Sequence, residues 1–101
     1  MWHRVAALAE LPESSGREFV VEGRVIAVFR SGNDVFAMDG ICPHAGGPLA
    51  EGPVQNGIVS CPWHGWQFRI ATGEHCLSSQ IRQGCFPVKI DESGVYVELP
   101  A

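Results

Sequence analysis

Short apolar stretches rich in Val, Ile and Phe alternate along the chain with residues that favour turns. Residues 18–22 and 24–30 flank Gly23 and predict a hairpin. Ser31-Gly32-Asn33-Asp34 predicts a second turn, leading into a strand at 35–38. Short strands are expected at 58–60 and 66–70, followed by a turn at Ala71-Thr72-Gly73-Glu74. Residues 86–91 and 95–99, joined through Glu92-Ser93-Gly94, predict a closing hairpin. In its second strand Val95, Val97 and Leu99 alternate with Tyr96 and Glu98, the period of two that marks a half-buried strand. Only residues 6–12 hint at a helical turn, which Pro12 cuts short. The pattern reads as all-β, with small antiparallel sheets packed face to face or curled into a barrel.

At 101 residues the chain is expected to form a single domain, 1–101, and no internal repeat or charge block divides it. Apolar residues make up 46% and charged residues 18%, which excludes a disordered chain. Seven Lys and Arg against eleven Asp and Glu leave a formal charge of −4, so no nucleic-acid partner is expected. The longest uncharged stretch, 52–68, is broken by Gly, Pro, Asn, Gln and His, and no membrane partner is expected either. Near the amino terminus the apolar run covers only residues 5–9, too short for the core of a signal peptide. The expectation is a cytoplasmic monomer whose four cysteines are thiols or metal ligands.

Two segments, 40–53 and 60–65, depart from any strand pattern and are dense in Cys, His, Gly, Pro and Trp. The first contains Cys42-Pro43-His44-Ala45-Gly46-Gly47-Pro48-Leu49, the second Cys61-Pro62-Trp63-His64-Gly65-Trp66. Together they spell C-x-H, sixteen intervening residues (45–60), then C-x-x-H. Two thiolates and two imidazoles suit iron or zinc. Structural zinc sites usually pair like with like, Cys with Cys and His with His. Here each loop mixes the two, and a single residue separates Cys42 from His44, which is awkward for one tetrahedral ion. A two-iron, two-sulfide core with two Cys on one iron and two His on the other uses this interleaving naturally. Gly46, Gly47 and Gly65 let backbone amides approach such a core, and Pro43, Pro48 and Pro62 stiffen the loops. Trp63, Trp66 and Phe68 are expected to be mainly core, and Cys76 and Cys85 small buried apolar residues. His3 and His75 are expected to make local hydrogen bonds rather than to bind metal.

On these motifs the chain resembles the Rieske [2Fe–2S] proteins. The resemblance implies an antiparallel β-sandwich of three small sheets with an inserted cluster-binding subdomain at roughly 40–83. It implies one [2Fe–2S] cluster, with Cys42 and Cys61 on the buried iron and His44 and His64 on the outer iron. In high-potential members each loop carries a further Cys, and the pair forms a disulfide; the corresponding positions here are Gly47 and Trp63. Those members also place a Ser where this chain has Trp66. Fewer donors to the cluster imply a potential at the low end of the Rieske range of about −150 to +300 mV.

The chain has no Gly-rich nucleotide fingerprint. The resemblance therefore implies a one-electron carrier rather than an enzyme in its own right. It would connect a flavoprotein reductase to a terminal oxygenase, such as an aromatic-ring dioxygenase. The alternative is the small electron-transfer subunit of an NADH-dependent nitrite reductase, with a terminal reductase as acceptor. Protein from iron-replete cells is expected to carry two irons and two acid-labile sulfides per chain. Stoichiometric zinc without labile sulfide in elemental analysis would contradict this reading.

Overall fold

Turn chemistry sets the strand pairing. A computed structural model describes residues 1–43, 46–63, 65–78 and 80–100. The expected first hairpin pairs β2 (Ser15–Val21) with β3 (Arg24–Ser31), in register from Ser15↔Arg30 to Val21↔Arg24. Its two central residues, Glu22 and Gly23, have φ of 52° and 76°, the type I′ arrangement that matches strand twist. The second turn leads from β3 into β4 (Asp34–Asp39), paired from Ile26↔Asp39 to Ser31↔Asp34.

β5 (Val54–Gln55) and β6 (Ile58–Ser60) form another hairpin, around Asn56-Gly57 with φ of 54° and 75°. β7 (Gln67–Arg69) completes that sheet and is shorter than the expected 66–70. β8 (Cys85–Phe86) pairs with β4. β9 (Val88–Asp91) and β10 (Gly94–Glu98) make the closing hairpin. The Asp91 carboxylate accepts hydrogen bonds from the Ser93 amide (2.8 Å), the Ser93 hydroxyl (2.7 Å) and the Gly94 amide (3.2 Å). Those bonds, the Ser93 hydroxyl first, hold the carboxyl below its usual range.

β1 (Trp2–Ala6) is not evident from sequence pattern. It adds to the free edge of β10, with a bulge between Arg4 and Ala6. The Arg4 guanidinium secures it by donating to the Ser93 carbonyl at 2.8 Å. The helical hint at 6–12 is a single 3-10 turn, Leu8–Glu10, in which the Glu10 carboxylate accepts the Ala7 amide at 2.7 Å.

Among the described residues the strands form three antiparallel sheets, ordered β1-β10-β9, β2-β3-β4-β8 and β5-β6-β7. The second sheet is the middle layer. Alternation along β3 sends Ile26 and Val28 to one core and Ala27 and Phe29 to another. The first of these cores joins Val95 and Val97 of β10 with Ala6, Leu11 and Leu99. The second joins Met38 of β4, Val59 of β6 and Phe68 of β7 with Cys42 and Cys61. The chain leaves the middle sheet at Asp39 and returns at Cys85, and everything between is built over this second core.

Phe29 is fully buried at the centre of that core. Phe29→Ala is expected to cost about 3–5 kcal/mol in denaturant unfolding. Val20→Ala, on the exposed face of β2, should stay within about 0.5 kcal/mol. Equal effects of the two would refute the assignment of β3 as the strand shared by both cores.

Candidate functional site

Both candidate loops close on their own backbone in the same way. The Cys42 amide donates to the Gly47 carbonyl at 2.8 Å, and the Gly46 amide donates back to the Cys42 carbonyl at 2.9 Å. In the second loop the Cys61 amide donates to the Trp66 carbonyl at 2.7 Å, and the Gly65 amide donates to the Cys61 carbonyl at 3.1 Å. In each frame the returning amide belongs to a glycine in the left-handed region, Gly46 at φ 75° and Gly65 at φ 76°. A side chain at either position would strain the backbone. With their amide and carbonyl groups paired inside the loop, the cysteines can sink into apolar surroundings.

They do so together. Cys42 is 1% and Cys61 2% exposed, in one core with Leu49, Val59, Phe68 and Ile70. The loops touch at Gly47. A β-carbon there would stand 2.7 Å from the Cys61 sulfur and 3.1 Å from the Trp63 β-carbon. Gly47 and Trp63, the positions of the bridging cysteines in high-potential Rieske proteins, thus face each other here as backbone against indole. Candidate ligands His44 and His64 lie outside the described residues. Among the described residues no three His, Cys, Asp or Glu side chains converge, and of the candidate quartet these include the two cysteines.

The root of the first loop is tied down from both sides. The Gly40 amide donates to Val25 and the Leu49 amide to Gly40, each at 3.0 Å. Gln83 is the buried polar side chain of the described core, and its amide nitrogen donates to the Asp39 carbonyl (2.9 Å) and the Ile41 carbonyl (2.6 Å). Nothing in the sequence distinguishes Gln83 from a surface glutamine. Beneath the second loop, Trp66, Phe68 and His75 form an aromatic wall. The His75 ring is nearly perpendicular to Trp66 (4.8 Å) and Phe68 (5.3 Å).

Two expectations are corrected. Trp63 is 50% exposed rather than core, because it rides the outer turn of its loop. Cys85 is exposed rather than buried, because it lies on the edge strand β8. Its thiol is tucked in, donating a weak hydrogen bond to the Gln83 carbonyl at 3.8 Å. Partial burial pushes that thiol above its ordinary range; Arg82 works against this and Asp39 adds to it. Cys76 is half-buried. His75 makes the expected local hydrogen bond, accepting from the Leu77 amide.

No Asp, Glu, Lys or Arg occurs within 40–50 or 61–68. The outer surface carries Ile41 and Trp63, each about half exposed, with Pro43 and Pro62. Two buried sulfurs on stiffened loops suit a soft metal group, whose positive charge offsets the cost of burying thiolates. Among the described residues no helix is long and apolar enough to cross a membrane.

Residues 1–89 match the profile of the Rieske [2Fe-2S] domain. The ferredoxin subunit of anthranilate 1,2-dioxygenase from Burkholderia cepacia is 34% identical over 99 residues, covering 97% of this chain and 92% of its own length. A solved complex of reduced oxygenase and oxidised ferredoxin in carbazole 1,9a-dioxygenase contains a chain with 31% identity and a TM-score of 0.86, covering 95% of this chain and 91% of its own. A protein from Mycobacterium tuberculosis described as the small subunit of NADH-dependent nitrite reductase shares the fold, with a TM-score of 0.91 at 20% identity and coverage of 100% and 96%.

The contact at Gly47 gives a direct test. Gly47→Ala forces a methyl group against the Cys61 sulfur, and overpacking of this kind costs about 1–3 kcal/mol. Iron and labile sulfide per chain should fall well below wild type in freshly purified protein. A full complement at wild-type stability would contradict the packing of one loop on the other.

Proposed function

Because the chain belongs to the Rieske [2Fe-2S] family, we propose that it is a one-electron carrier whose cluster is held by Cys42, His44, Cys61 and His64. In this reading 40–83 acts as the cluster-binding subdomain, the donor is a flavoprotein reductase and the acceptor a terminal oxygenase such as an aromatic-ring dioxygenase. When bound, the cluster supplies a store for one electron. The chain's own residues do the rest. The matched backbone frames fix Cys42 and Cys61 at one depth, and Trp66 and Phe68, packed in the same core, keep water from the sulfurs. Pro43 and Pro62 stiffen the rim, which limits reorganisation when the charge changes.

The observation that carries the reading is the pairing of two buried cysteines with an uncharged apolar rim directly above them. Such a rim suits brief contact with a partner surface, over which an electron passes without a deep pocket. The Gly47–Trp63 contact, where a disulfide would stand in a high-potential protein, supports a low potential. So does Trp66, which offers no hydroxyl. The anthranilate and carbazole dioxygenase matches, both above 30% identity and aligned along nearly their whole length, favour an oxygenase acceptor over a nitrite reductase. A reducing cytoplasm is the matching compartment, since none of the four cysteines is in a disulfide.

The test is stopped-flow mixing of reduced holoprotein with purified anthranilate, naphthalene and carbazole terminal oxygenases, and separately with a sirohaem nitrite reductase. Reoxidation by at least one oxygenase is expected, with a rate that falls only weakly with ionic strength. Faster reoxidation by the nitrite reductase would favour the alternative. A steep fall with salt would place acidic groups such as Glu51 at the contact.

A further inference from the structure

Leu77 is 91% exposed, the most exposed large apolar side chain among the described residues. A leucine held in water adds nothing to the stability of the monomer. Its backbone is nevertheless held firmly. The Leu77 amide donates to His75 Nδ1 at 3.0 Å. On either side, the Cys76 amide donates to Gln67 (2.9 Å), His75 to Ile81 (3.0 Å) and Ile81 to Ser78 (3.2 Å). The His75 ring is fixed in turn by Trp66 and Phe68.

An imidazole that accepts at Nδ1 carries its proton on Nε2 when neutral. His75 Nε2 is buried without a hydrogen-bond partner among the described residues. A phenylalanine would fill this place without leaving a buried polar atom unsatisfied, so for stability alone histidine is the poorer choice. What histidine adds is the acceptor for Leu77. His75 and Leu77 line, with Gly65, Trp66, Gln67 and Ile81, an open depression of about 310 Å³. It lies against the second candidate loop, which bears no charge from 61 to 68.

We propose that His75 is a positioning residue for electron transfer, whose Nδ1 holds the Leu77 amide so that the leucine side chain stands out beside the second loop as an apolar anchor for the terminal oxygenase. The assignment rests on the oxygenase reading above. Leu77 thus shares the depression with Gly65 and Trp66 of the uncharged loop that also carries the exposed Trp63, and an apolar partner surface matches it.

Three variants test it: Leu77→Ser, His75→Phe and His75→Asn. Phenylalanine keeps the ring but loses the acceptor. Asparagine loses the ring but can accept an amide two residues on, as in an Asx turn. Steady-state turnover is measured with whichever oxygenase of the panel the wild type reduces fastest, at varied concentrations of the holoprotein. Leu77→Ser and His75→Phe should raise the KM for the carrier several-fold while kcat, iron content and midpoint potential stay at wild-type values. His75→Asn should restore KM. Hydrogen exchange of the peptide containing Leu77 should quicken in His75→Phe and remain slow in His75→Asn. An unchanged KM in Leu77→Ser, whose exposed side chain cannot disturb the fold, overturns the anchor. Unchanged exchange in His75→Phe overturns the positioning role. A wild-type protein that reduces none of the oxygenases overturns the oxygenase reading and the anchor with it, and that result is distinct from a wild type that turns over as well as its variants.

Discussion

Cys42 and Cys61 can belong to a hydrophobic core only because each opens a loop that satisfies its own backbone. An amide and a carbonyl at the mouth of each loop would otherwise enter apolar surroundings unpaired, at about 1–3 kcal/mol each. The frame that prevents this is the same in both loops, and in both it needs a left-handed residue four positions after the cysteine, supplied by Gly46 and Gly65. Depth, orientation and mutual approach of the two sulfurs all follow from that constraint. Gly47 then lets one loop lie flat on the other.

The layered sheets support this arrangement without taking part in it. Within the middle sheet β3 is buried on both faces, so it anchors the closing hairpin through Ile26 and Val28 and the loops through Ala27 and Phe29. Because β4 and β8 pair with each other at Ala37↔Phe86 and Met38↔Cys85, the intervening chain leaves and re-enters the scaffold at one place. Gln83 locks that place by bonding the carbonyls on either side of Gly40. Charge is kept out of the loops, which leaves them neutral on a protein that is acidic overall.

Much of this was legible in the sequence where the signal is local. Alternation at Val95, Val97 and Leu99 and the turn residues at Gly23 and Gly32 announced the hairpins, and the two Cys/His loops announced the chemistry. The Asn56-Gly57 turn was readable too, as a two-residue hairpin signal, but its strands are too short to show a period. β1 was not readable, since it exists by pairing with β10 at the far end of the chain. The exposure of Trp63 and Cys85 depends on which turn and which edge they occupy, and apolar neighbours in sequence say nothing about that. Gln83 and His75 act through backbone groups that only the fold brings to them.

The central claim is that the two matched loops give one cysteine and one histidine each to a single two-iron cluster. Pulsed electron paramagnetic resonance of the reduced protein, with histidine labelled with nitrogen-15, tests it most directly. The account predicts strong coupling of the unpaired electron to two histidine nitrogens, with one lost in His44→Cys and the other in His64→Cys. A reduced cluster with no histidine coupling would contradict it, and would require Cys76 and Cys85 to complete a four-cysteine site.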